Sequence, residues 1–198
     1  MNYYYEKRKF VFERIYKSSN MEKGVMVILM ACFTGIMAQV IIPLHWSPVP
    51  ITGQTFAVLV SGLVLGRKLG PLSQLLYITV GVLGVPWFAD MSGGLNVLLG
   101  ATGGYMIGFL FASLFIGYIS EKYSKSRNIR GMIPVMLIAN YICIYIPGLF
   151  VLAIWYQSNI GNLPNISSLL VMGLTPFIVG DLVKVTGASF FSKIFLPK

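Results

Sequence analysis

A chain of 198 residues that is 56% hydrophobic and only 11% charged does not read as a soluble domain, and its length allows about six membrane spans with their connections. The formal net charge of +9 does not point to nucleic acid, because the basic residues sit between apolar runs and not across a soluble face. Cys32 and Cys143 both fall inside apolar runs, so neither a disulfide framework nor a metal site is expected.

Residues 1–23 form a polar, basic N-terminal segment with Lys7, Arg8, Lys9, Arg14, Lys17 and Lys23. Tyr3, Tyr4, Tyr5, Phe10 and Phe12 alternate with these charges, which suits either an anionic membrane surface or a loose tail. No cleavable signal is expected, because the first apolar run begins only at Gly24 and is long enough to span. Residues 24–195 then read as a single membrane domain.

Span one is expected from about Gly24 to Ile42, and it carries Ala31 and Gly35 one turn apart, small residues that let another helix approach closely. The loop 43–53 holds Pro43, Pro48 and Pro50, which favour extended backbone and leave His45 exposed. Span two, from about Gln54 to Gly66, ends at Arg67 and Lys68. Span three is placed after Gly70-Pro71, a helix-start pair, and runs to about Val85. Residues 86–104 are too rich in Gly and Pro for one helix. Irregular backbone at membrane depth is tolerated only where protein or a cavity covers it, so this segment is a candidate part of a binding site.

Span four, about Gly103 to Ser120, places Gly104, Gly108 and Ala112 on one face for close packing. Glu121, Lys122, Lys125, Arg127 and Arg130 make the next connection. Span five runs from about Met132 to Ala153, with a bend expected near Pro147-Gly148. A polar loop and a short apolar piece, 166–174, lead to Thr175-Pro176, read as N-cap and first helical residue of span six. Apart from Lys184, every Lys and Arg falls in the N-terminal tail, at 67–68, at 122–130, or at 193 and 198. Those are alternate connections, so six spans put them all, and both termini, on the cytoplasmic side. Trp46, Trp87 and Trp155 fall on the outer side.

Asp181 and Lys184 are the two charges that do not belong in their apolar surroundings. They stand three apart, on one helical face, and can neutralise each other. Ionisable groups in spans are by default functional candidates, although an ion pair that only locks helices together is the plain alternative. No catalytic constellation accompanies them: there is no HExxH, no nucleophile with a base, and no GxxxxGK[ST] for ATP. The protein is therefore not expected to be an enzyme. GATGG at 100–104 is no dinucleotide fingerprint. Gly93, Gly94, Gly103 and Gly104 can expose backbone N–H groups to an anion or can be plain turn glycines. Gln54, Trp87, Phe88, Asn96 and Tyr105 complete the candidate ligand-binding set with neutral polar groups and apolar rings.

Residues 48–109, with the run SGG…GATGGYMIGF, and GDLVKV at 180–185 resemble the characteristic blocks of the BioY family. These are the biotin-specific substrate-binding (S) components of energy-coupling factor (ECF) transporters. The resemblance covers most of 24–195 and leaves the basic tail outside. It implies an all-α membrane protein, a six-transmembrane-helix bundle of S-component type with cytoplasmic N and C termini. It also implies a multi-pass protein of the bacterial plasma membrane that binds biotin from the outer side. A transmembrane coupling protein and two ATPase subunits would supply the energy, and no cofactor is implied. The family's intramembrane Asp and Lys correspond to Asp181 and Lys184, and its Ala-xxx-Ala docking pattern appears as Ala31-xxx-Gly35, expected to face out of the bundle. An ion-coupled secondary transporter of a small carboxylate or vitamin is the rival reading. It would normally show internal repeats or paired broken helices, and none is evident.

Overall fold

The computed structural model describes residues 17–196; the aromatic and basic segment, read as either bound to a membrane surface or a loose tail, lies, up to residue 16, outside the described residues. Helix α1 covers Asn20–Ala38. It starts before Gly24 because Ser19 and Glu22 form a reciprocal cap: the Ser19 hydroxyl accepts from the Glu22 amide at 3.2 Å, and the Glu22 carboxylate accepts from the Ser19 amide at 2.7 Å. It also stops short of Ile42. Strand β1 (Ile41–Ile42) pairs antiparallel with β2 (Ile51–Thr52), which closes the proline-rich loop into a hairpin and satisfies backbone groups that a free loop would leave unpaired. His45 is exposed there.

Helix α2 spans Gln54–Val82 but is not one rod. Gly66 has φ 75° and ψ −172°, a backbone conformation that side chains beyond glycine rarely adopt. The Gln54 amide donates to the Tyr77 hydroxyl at 2.8 Å, whereas a continuous helix would hold those residues about 35 Å apart. The chain therefore reverses at Gly66 into two antiparallel segments, 54–65 and 67–82. Glu121 caps the second: its carboxylate accepts from the Arg67 amide at 2.8 Å and pairs with the Arg67 guanidinium at 3.0 Å, a negative charge at a helix N-terminus. Pro71 consequently lies inside this segment and does not open it as Gly70-Pro71 suggested. Among the described residues, five stretches are long and apolar enough to cross a membrane, and the reversal at Gly66 divides one of them, giving six helical segments there.

A 3-10 turn (Ala89–Met91) and a one-turn helix α3 (Leu95–Leu98) occupy the irregular segment before α4, Gly103–Lys122. The small face of α4 packs as expected. Gly104 lies against the Pro147 carbonyl, and a Cβ at Gly108 would stand 2.5 Å from the Cys143 oxygen and 2.6 Å from Ile144 Cα.

Span five is α5 (Ile129–Ile138), a π turn (Ala139–Ile144) and α6 (Tyr145–Ile160). The irregularity precedes Pro147, where the sequence suggested a bend. A proline ring clashes with the carbonyl four residues back, here Cys143, and the widened turn absorbs that clash before the proline is reached. Span six is α7 (Ile166–Gly173), a 3-10 turn at Thr175–Phe177, α8 (Ile178–Phe190) and the one-turn α9 (Ser192–Phe195). Thr175 does not act as the N-cap; its hydroxyl donates backward to the Leu170 carbonyl at 3.1 Å.

One further expectation fails. Ala31 is fully buried and Gly35 lies against the Trp87 ring, 3.3 Å from where a Cβ would stand. The small-residue face of α1 thus points into the bundle, where it admits the Trp87 indole and the α2 hairpin. Thr34 on the same face is bonded by the Gln74 amide at 3.2 Å, a polar link between helices. The outward stripe of α1 is instead Val25, Ile28, Leu29, Cys32 and Ile36.

Candidate functional site

A cavity of about 410 Å³ lies at the end of the bundle opposite the Arg67–Glu121 cap, in the size range of small-molecule sites. The hairpin loop 41–52 forms one wall with Ile41, Leu44, Ser47, Val49 and Thr52, and Ala89, Asp90 and Ser92 form another. Apolar cover comes from Phe88, Met106, Phe109 and Phe177, together with the rings of Tyr105 and Tyr145. Gln54, Thr55 and Lys184 add polar groups.

The wall at 86–92 is held in an unusual shape. Asp90 and Met91 have φ of 60° and 49°, positive values uncommon for residues other than glycine. Gln39, just beyond α1, secures them: its amide donates to the carbonyls of Trp87 (3.2 Å) and Phe88 (2.9 Å), and its oxygen accepts from the Met91 amide at 3.0 Å. The opposite wall is tied to span six, where the Ser47 hydroxyl donates to the Met172 carbonyl at 2.7 Å.

Asp181 and Lys184 do meet. Asp181 is 1% exposed, and one carboxylate oxygen, Oδ1, lies 2.7 Å from Lys184 Nζ. Its other oxygen accepts from the Asn140 amide at 2.9 Å and from the Tyr145 hydroxyl. Lys184 Nζ also donates to Thr55 Oγ1 at 2.7 Å and to the Thr52 carbonyl at 3.2 Å. The ammonium therefore reaches the cavity from a carboxylate that stands behind it.

Of the residues singled out in the sequence, Gln54, Phe88, Tyr105 and Lys184 line this cavity. Asp181 is brought to it only through Lys184 and Tyr145. Trp87 lies behind the wall: its indole N–H donates to the Tyr77 carbonyl at 2.9 Å and its ring packs on Tyr77, centroids 5.3 Å apart. Asn96 is exposed and outside the lining. Gly93 and Gly94 form no open nest toward the cavity, since Gly93 backs onto the Val85 carbonyl and the Gly94 amide donates to the Gly81 carbonyl at 2.7 Å. Sequence reasoning missed Thr52, Thr55, Asn140 and Tyr145. The last two carried a signal, as polar side chains in a span otherwise free of charge, but their five-residue spacing fits no α-helical face.

The fold agrees with what the chain is similar to. The BioY family model matches residues 12–196. The chain belongs to the BioY family. A probable biotin transporter BioY from Methanothermobacter thermautotrophicus is 52% identical over 138 residues, 70% of this chain and 88% of that protein. The biotin transporter BioY of Thermotoga maritima is 35% identical over 155 residues, covering 78% and 84%. A crystal structure of the S-component for biotin from an ECF-type ABC transporter superposes with a TM-score of 0.77 at 28% identity, covering 88% of this chain and 92% of that one. The chain is thus an all-α integral membrane protein of a transporter family.

Proposed function

We propose that this BioY protein is the biotin-binding subunit of an ECF-type uptake system in the cell membrane, with no catalytic activity of its own. The observation that carries the reading is the Asp181–Lys184 pair feeding one ammonium into an aromatic-walled cavity. Biotin offers a ureido carbonyl, two ureido N–H groups, an apolar thioether ring and a carboxylate tail. Lys184 supplies a donor, the Thr52 carbonyl and Gln54 supply acceptors, and Phe88, Tyr105, Phe109 and Phe177 cover apolar surface. The names and fold of the relatives support the same ligand. A coupling protein and two ATPases are the partners this reading requires, since the chain has no P-loop.

Purified protein is expected to retain biotin in equilibrium binding with no ion gradient imposed. A chain that fails to bind without a gradient, yet carries out gradient-driven uptake by itself, would be a secondary transporter instead. Orientation is tested separately. The basic connections at 67–68 and 122–130 lie at the end opposite the cavity, so the cavity opens outward if basic loops stay inside. In a background lacking Cys32 and Cys143, a cysteine at Ser124 is expected to label only from the cytoplasm and one at Ser158 only from outside. Labelling of both from one side sinks this topology.

A further inference from the structure

In an α-helix, residues five apart point about 140° away from each other, so Asn140 and Tyr145 would not reach one partner. Span five solves this with its π turn. The Tyr145 amide donates to the Asn140 carbonyl, the five-residue bond of that winding, and both side chains converge on the same oxygen of Asp181. Asn140 is fully buried, and span five carries no charged residue from Gly131 to Ile160. Both of these polar side chains are thus spent on an anion belonging to another helix.

We propose that Asn140 and Tyr145 are positioning residues for ligand binding: by clamping one oxygen of Asp181 they aim the other at Lys184 and hold the ammonium at the cavity. A carboxylate bonded on one side only can rotate, and a lysine on its four-carbon stem follows it. With Oδ2 fixed from span five, Oδ1 faces Lys184 at 2.7 Å. Thr55 at the start of α2 and the Thr52 carbonyl at the end of β2 then fix the ammonium. Tyr145 has a second position in the same device, because its ring is part of the cavity wall.

This inference rests on the biotin reading, and a double-mutant cycle separates the two. Tyr145→Phe keeps the ring and removes the hydroxyl. In the parent it is expected to weaken biotin binding about tenfold or more, the effect of losing a hydrogen bond to a charged group. In a Lys184→Met background the same change is expected to have no further effect, because the group being aimed is gone. Asn140→Leu is expected to repeat the pattern. Binding is read from the biotin concentration that half-shifts the melting midpoint, which remains measurable for weak variants. If Tyr145→Phe binds biotin like the parent, the proposal is overturned. It is equally overturned if the loss is the same in both backgrounds, which would make the hydroxyl merely structural. A parent protein that does not bind biotin at all would overturn the functional reading itself, a distinct outcome.

Discussion

Asp181→Ala is expected to be the most damaging single change in the site, lowering stability by about 3–5 kcal/mol. Three groups depend on that carboxylate: the Asn140 amide, the Tyr145 hydroxyl and the Lys184 ammonium. Alanine leaves the buried Asn140 amide and Tyr145 hydroxyl without their acceptor, and the ammonium, still held by Thr55 and the Thr52 carbonyl, loses its counter-charge. Melting of the detergent-solubilised variant, compared with the parent, measures it. Asp181→Asn keeps the shape and one acceptor oxygen but turns the other side into an N–H₂ facing a cation. It is expected to fold better than the alanine variant and still bind biotin roughly tenfold to a hundredfold more weakly. Affinity equal to the parent would mean that the negative charge does not serve the ligand.

The second large effect is expected at an uncharged position, Gly108. A valine there would drive its Cβ into the backbone of the π turn, 2.5 Å from the Cys143 oxygen and 2.6 Å from Ile144 Cα. Backbone atoms cannot rotate aside as a side chain can, so α4 and span five must separate. Overpacking of this kind costs about 1–3 kcal/mol. It should also displace Asn140 and Tyr145, and with them the clamp on Asp181. Gly108→Val is therefore expected to lose both melting temperature and biotin affinity. Gly187→Ala is the control, because its Cβ would meet only Phe56 at an ordinary 3.5 Å. A Gly108→Val protein that melts and binds like the control would show that this contact has slack.

Hydropathy and charge made most of the architecture legible. Apolar runs separated by basic connections located the spans, and the two intramembrane charges meet beside the candidate cavity. What escaped was whatever depends on local departures from regular helix. The π turn is invisible to a reading based on a 3.6-residue period, so Asn140 and Tyr145 looked unrelated. Gly70-Pro71 outweighed Gly66 as a helix start because proline is the louder signal, although the backbone needed its positive φ at Gly66. Ala31 and Gly35 were correctly read as a close-contact pair, but small residues say only that something approaches, not from which side. Trp87 answered that question from inside, by filling the space beside Gly35. The glycines at 93 and 94 likewise serve the chain's own turn, with the Gly94 amide already bonded to α2.

The reversal at Gly66 also sets a depth. The segment 54–65 rises roughly 18 Å, well short of a hydrocarbon layer of about 30 Å. If its basic end sits at the cytoplasmic surface, Gln54 and the β1–β2 hairpin lie several ångströms beneath the opposite headgroups. The local waterline must then dip, by a thinned leaflet or by a funnel of water above the hairpin. A solute arriving from that side would be partly immersed in the bilayer's thickness before it touched Lys184. The acyl-chain length of the surrounding lipid would set how far it has to descend.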